Sequence, residues 1–127
     1  MRKAFVLLLF TGLIWGCEAP IKDQIMDVHD EVMPLMDPLY QTRKQLQDKA
    51  DSLDPTSAAY GQHVELIRKI EVAEAEMMNW MRNYEPNFEG QTDSVTTYYY
   101  EAQKAAIEEV ASQMNAALEE GKSMLEP

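Results

Sequence analysis

The chain has 127 residues, with 22 Asp and Glu against 11 Lys and Arg, for a formal charge of −11 at pH 7. Binding to nucleic acid depends on neutralising phosphates with Lys and Arg, so this balance excludes it; it also opposes docking of the domain on anionic lipid. Cys17 is the only cysteine, which excludes an internal disulfide, and the length suits a single domain.

Residues 1–16 read as a removable leader. Met1-Arg2-Lys3 is a short positive region, and Ala4 to Ile14 is an eleven-residue apolar run. A helix needs about 20 apolar residues to cross a hydrocarbon core of about 30 Å, so this run is too short to span. Its size and charge order are those of a secretory signal. Ile14-Trp15-Gly16-Cys17 then resembles a bacterial lipobox, with an aliphatic residue three before the cysteine and a small residue just before it; Trp15 departs from the usual small residue at its position. On that resemblance Cys17 is acylated on sulfur, for example with palmitate, and becomes the first residue. Residues 17–20 form a short tether, and residues 21–127 form the domain. Loss of residues 1–16 leaves 9 Lys and Arg against 22 Asp and Glu, a charge of −13. Two or three acyl chains hold a protein stably, because each buried CH2 contributes about 0.8 kcal/mol.

The first element begins at Ile21. Ile21, Ile25, Val28, Val32, Leu35, Leu39, Leu46 and Leu53 follow 4-3 spacing, with Thr42 and Lys49 filling two further positions. Such spacing is the seam of a helix packed on others. Pro34 and Pro38 each remove a backbone donor and crowd the preceding turn, so one helix kinked near Pro34/Pro38 is expected. Asp37-Pro38 also has the form of an N-cap followed by proline at the first helical position.

Asp54-Pro55 repeats that form and opens a second helix running to about Tyr84. Its inner positions are Ala59, His63, Leu66, Ile70, Ala73, Met77, Trp80 and Tyr84, with Glu65 and Lys69 as an outer i,i+4 pair. Pro86 and Gly90 mark the next break. Thr92, Asp93 or Ser94 caps a third helix to about Leu125, with Val95, Tyr99, Ala102, Ala106, Val110, Met114 and Ala117 on its inner face. No long stretch alternates with period two, so no sheet is expected. The fold class is all-α: an antiparallel three-helix bundle of long helices, each about 45 Å.

Reflection about the two turns sets His29 level with about residue 79 and then about residue 99. One end of the bundle therefore collects Met26, His29, Met33, Met77, Met78, Trp80, Met81, Tyr84 and Tyr98-Tyr99-Tyr100. Two readings of this layer stand side by side. Thioether and imidazole ligands select soft metals, copper(I) above all, which gives a site from Met26, His29 and Met33 with Met77 or Met81. Alternatively, methionine fills core gaps against aromatic rings and His29 sits at the edge, bonded to water or to a carboxylate such as Asp30. On that second reading no metal and no cofactor are expected. His63 lies about 24 Å further along the axis and reads as a core histidine.

The acids fall on solvated faces, without the apolar pocket that raises a carboxyl pKa for catalysis. There is no phosphate loop, calcium loop or nucleophile elbow, so the chain is not expected to be an enzyme. Asp51-Ser52-Leu53 and Asp93-Ser94-Val95 resemble the short O-glycosylation signal of some gram-negative envelope proteins, at expected inter-helix loops, although capping also explains Ser52 and Ser94.

The lipobox ending at Cys17, the segment His29-Asp30-Glu31-Val32-Met33-Pro34, the segment Met77-Met78-Asn79-Trp80-Met81 and a Glu-rich last helix together resemble a family of small uncharacterised gram-negative lipoproteins. Some of its members carry the label "viral A-type inclusion protein". The resemblance implies no activity and no functional residue beyond Cys17. The expectation is a lipoprotein anchored in the bilayer through Cys17, most naturally in the outer membrane, facing the periplasm or the surface. It would act as a binding or structural module for an envelope protein partner, and its long seams are compatible with a homodimer. Copper handling and envelope stress chaperoning are the alternatives.

Overall fold

The computed structural model describes residues 17–127; the leader and the lipobox residues before Cys17 lie outside the described residues. The elements are α1 (Ile21–Val32), a 3-10 turn (Met33–Leu35), α2 (Met36–Ala50), α3 (Ala58–Asn83) and α4 (Asp93–Leu125). No strand occurs among the described residues.

The two prolines explain the break between α1 and α2. Neither Pro34 nor Pro38 has an N–H to give to the carbonyl four residues back. The chain tightens here, and the Met36 N–H bonds the Met33 carbonyl. Asp37-Pro38 does not start a helix as its pattern suggests. The backbone is already helical at Leu35, which is the N-cap of α2 and makes no side-chain cap bond. A capping side chain needs an extended residue beneath it, and none is present.

The second helix also begins later than its Asp54-Pro55 signal predicts. Asp54 closes the preceding turn: its carboxylate accepts from the Thr56 N–H at 2.8 Å and the Thr56 hydroxyl at 2.7 Å. Ser57, in extended conformation, is the cap of α3 and accepts from the Tyr60 N–H at 3.1 Å. Thr92 caps α4, accepting from the Val95 N–H at 3.2 Å.

Three helical arms pack on one another, and side-chain pairs give their directions. Lys22 lies over the Tyr100 ring and Lys49 reaches the Leu125 carbonyl, so α1–α2 and α4 run the same way. Arg43 bonds Glu74 and Lys69 bonds Glu120, so α3 runs against both. Glu65 does not pair with Lys69 as its i,i+4 spacing suggests. Glu65 takes Arg68 at 2.7 Å, and Lys69 crosses to Glu120 at 2.7 Å.

Ile25, Leu39, Leu46, Ile70, Met77, Ile107 and Met114 are the largest fully buried side chains. The seam of α4 runs Tyr100, Ile107, Val110, Met114, Ala117 and Gly121. It meets the expected face only from Val110 onward; Val95 and Ala102 are exposed. Each step of four over-rotates a helix by about 40°, so the expected 4-4-4 series 102-106-110-114 drifts off a straight seam. Ala59 is likewise exposed at the start of α3, while Ile67 is buried.

Candidate functional site: the anchor end of the bundle

Cys17 is exposed and free, with residues 17–20 outside any regular element. The tether is tied to the first helical turn. The Gln24 N–H bonds the Pro20 carbonyl at 3.1 Å, and the Gln24 side-chain amide donates to the Ala19 carbonyl at 2.6 Å. Cys17 is therefore held next to the start of α1.

The α3–α4 loop occupies the same end, and tyrosines from α4 latch it. The Glu85 N–H donates to the Tyr99 hydroxyl at 2.7 Å. The Tyr100 hydroxyl lies 3.0 Å from the Pro86 carbonyl and 3.3 Å from that of Phe88. Phe88 stacks on Tyr99 with centroids 4.0 Å apart, and the Gly90 N–H reaches the Thr96 hydroxyl at 2.9 Å.

Between α1, the end of α3 and this loop lies an open cleft of about 340 Å³, lined by Met26, His29, Trp80, Met81, Tyr84 and Pro86. His29 Nδ1 stands 2.9 Å from the Asp30 carboxylate. An ionised carboxylate only accepts, so this bond places a proton on Nδ1, and on a neutral ring the Nε2 lone pair is then available. The His29 and Trp80 ring centroids are 5.9 Å apart, and Trp80 stacks on Tyr84 at 4.8 Å. The Trp80 Nε1 and the Tyr84 hydroxyl are buried without a hydrogen-bond partner. Burial pushes the Tyr84 phenol above its ordinary pKa, and ionised Tyr100 and Tyr99 nearby push it the same way.

The structure divides the methionine layer. Met26 and Met81 line the cleft and are 38% and 39% exposed. Met77 is fully buried in the core, and Met33 is half-buried against it; neither lines the cleft. Of the residues read from the sequence, Met26, His29 and Met81 therefore share the cleft, and Met33 and Met77 do not line it. Spacing along a helix cannot show which thioethers turn inward. Pro86 lines the cleft with no signal in the sequence beyond its place in the loop.

His63 is buried, with Nδ1 2.8 Å from the Ala59 carbonyl and Nε2 without a partner. Ser52 is exposed in the α2–α3 turn, its hydroxyl donating to the Lys49 carbonyl at 2.7 Å. Ser94, expected in a loop, lies in the first turn of α4 because Thr92 takes the cap. Among the described residues, no group of three or more His, Cys, Asp and Glu is placed to hold a metal, and no helix is long and apolar enough to cross a membrane.

No protein-family model matches the chain, and no curated protein or solved structure matches it significantly.

Proposed function

We propose that the chain is an envelope lipoprotein, exported by its leader, cleaved before Cys17 and anchored through that residue, whose bundle serves as a binding or structural module close to the membrane. The observation that carries this reading is the placement of Cys17: an exposed lone cysteine on a tether bonded back to the first turn of α1. The acyl chains supply the membrane affinity, which the acidic domain opposes. The 3-10 turn is the kink of a single first arm. The outer membrane is the proposed location, and the partner is an envelope protein that meets the end carrying the cleft.

Metabolic labelling with palmitate and fractionation of the envelope test the anchor. The parent chain should carry label and sediment with outer membrane. Cys17→Ala should lose both properties. A labelled, membrane-bound Cys17→Ala would remove the basis of the proposal.

A further inference from the structure

We propose that Met26, His29 and Met81 bind a soft monovalent metal ion, copper(I) or silver(I), beside the ring of Trp80. Nothing in this site depends on the lipid anchor.

Soft cations select thioether and imidazole over oxygen ligands. The cleft offers two thioethers and one imidazole from α1 and α3. Met26 and His29 are three apart on α1, so they are neighbours on one face. Met81 comes from α3, directly after Trp80. The Asp30 carboxylate fixes the His29 tautomer, the usual way a protein orients an imidazole ligand and raises its basicity.

Met77 and Met114 are fully buried, whereas Met26 and Met81 stay more than a third exposed and line the same cleft as His29. Trp80 adds a π face that attracts a cation brought within about 6 Å. No Lys or Arg lines the cleft, and Lys22 of α1 and Arg82 of α3 are engaged elsewhere, over the Tyr100 ring and on the Asn79 side chain. The site discriminates against zinc, which favours four thiolate, imidazole and carboxylate ligands. Met33 and Met77 fall outside the ligand set.

The test uses the full chain in detergent carrying Trp15→Phe. Trp80 is then the single indole whether or not residues 1–16 have been removed. Copper(I) is offered as its bicinchoninate complex under ascorbate, and silver(I) serves as a redox-inert probe. One equivalent of either ion should quench Trp80 fluorescence, and copper(I) should leave the chelator. Met26→Leu, His29→Gln and Met81→Leu should each weaken binding about tenfold or more. Met78→Leu, at an exposed thioether outside the cleft, should leave it unchanged. Met26 and Met81 are open enough for their leucine variants to keep the fold. Failure to withdraw copper(I) from the chelator, binding indifferent to all three substitutions, an equal loss in Met78→Leu, or a preference for zinc(II) would each overturn the site.

Discussion

A Cβ built on Gly121 of α4 would stand 2.7 Å from Cγ2 of Thr42 on α2 and 3.2 Å from Cδ1 of Ile70 on α3. All three arms meet at this point, and the glycine lets them close. Alanine is the better helix former by about 1 kcal/mol, so at an open position Gly→Ala would stabilise. Here Thr42 is β-branched, stiff at χ1 and buried, and cannot swing away.

Gly121→Ala should therefore destabilise the bundle by about 1–3 kcal/mol, the usual range for overpacking. Adding Thr42→Ser, which removes Cγ2, should recover part of the loss. Urea unfolding of the four members of the cycle measures the coupling. A rise in stability for Gly121→Ala alone would show that α4 can shift outward.

Two interhelical ion pairs should differ in weight. Arg43 and Glu74 lie 3.0 Å apart with side chains 29% and 16% exposed, whereas Lys69 and Glu120 are close to half exposed. Glu74→Gln should cost about 1.5–3 kcal/mol, the range for a charged hydrogen bond removed from partial burial. Glu120→Gln should cost less than about 1 kcal/mol and be masked by salt. Thermal unfolding at low and high ionic strength separates them.

The seam of the first arm and the inner face of α3 are legible because 4-3 spacing reports burial directly; Ile25, Val32, Leu39, Leu46, Leu66, Ile70 and Trp80 are all buried. Reflection about the first turn sets the level of His29 against α3, since His29 meets Trp80. Reflection about the second turn misses: it sets Lys22 level with about residue 92, whereas Lys22 meets Tyr100 and Thr42 meets Gly121, because the α3–α4 loop folds back along α4 instead of turning tightly. Pairings that depend on three-dimensional reach are not legible. Lys69 has a suitable partner on its own helix and takes one on α4 instead. Asp54 and Ser57 are both good caps, and only the backbone conformation decides that Ser57 caps the helix and Asp54 the turn.

That division of labour has an acid signature. The Thr56 backbone N–H, and after it the Thr56 hydroxyl, holds the Asp54 carboxyl below the ordinary value of 3.8. A depressed folded pKa stabilises above the unfolded value and is lost as pH falls through the folded one. Asp54→Asn should flatten stability against pH below about 4 by lowering it in the neutral range, where the contribution of the carboxylate is whole, and should leave the acid end little changed. Ser57→Ala should instead lower stability by about 1 kcal/mol at every pH, since its role is a neutral cap. Unfolding midpoints from acid to neutral pH distinguish the two.

Tyr84 carries the opposite signature. Its buried, unpartnered hydroxyl ionises above the ordinary 10.0. A raised folded pKa means the contribution is whole below pH 10.0 and is lost as pH climbs from there through the folded value. Tyr84→Phe cannot ionise, so it should extend the alkaline limb of helicity measured by circular dichroism. At neutral pH it should be neutral or stabilising by up to about 1 kcal/mol, because an unsatisfied buried hydroxyl is itself a cost. An alkaline limb unchanged in Tyr84→Phe would place the controlling ionisation elsewhere.

Three methionines of one segment of α3 differ in burial. Met77 is fully buried, while Met78 and Met81 are 43% and 39% exposed. Met77→Ala opens a cavity among Ile25, Ile107 and the rest of the core, and should cost about 2–5 kcal/mol. Met78→Ala and Met81→Ala leave no cavity and should stay within about 0.5 kcal/mol. If Met81→Ala costs as much as Met77→Ala in urea unfolding, its thioether is a packing element and the cleft is closed in solution. If Met81→Ala is nearly neutral, that side chain is free of structural duty and open to a ligand that enters the cleft it shares with His29 and Trp80.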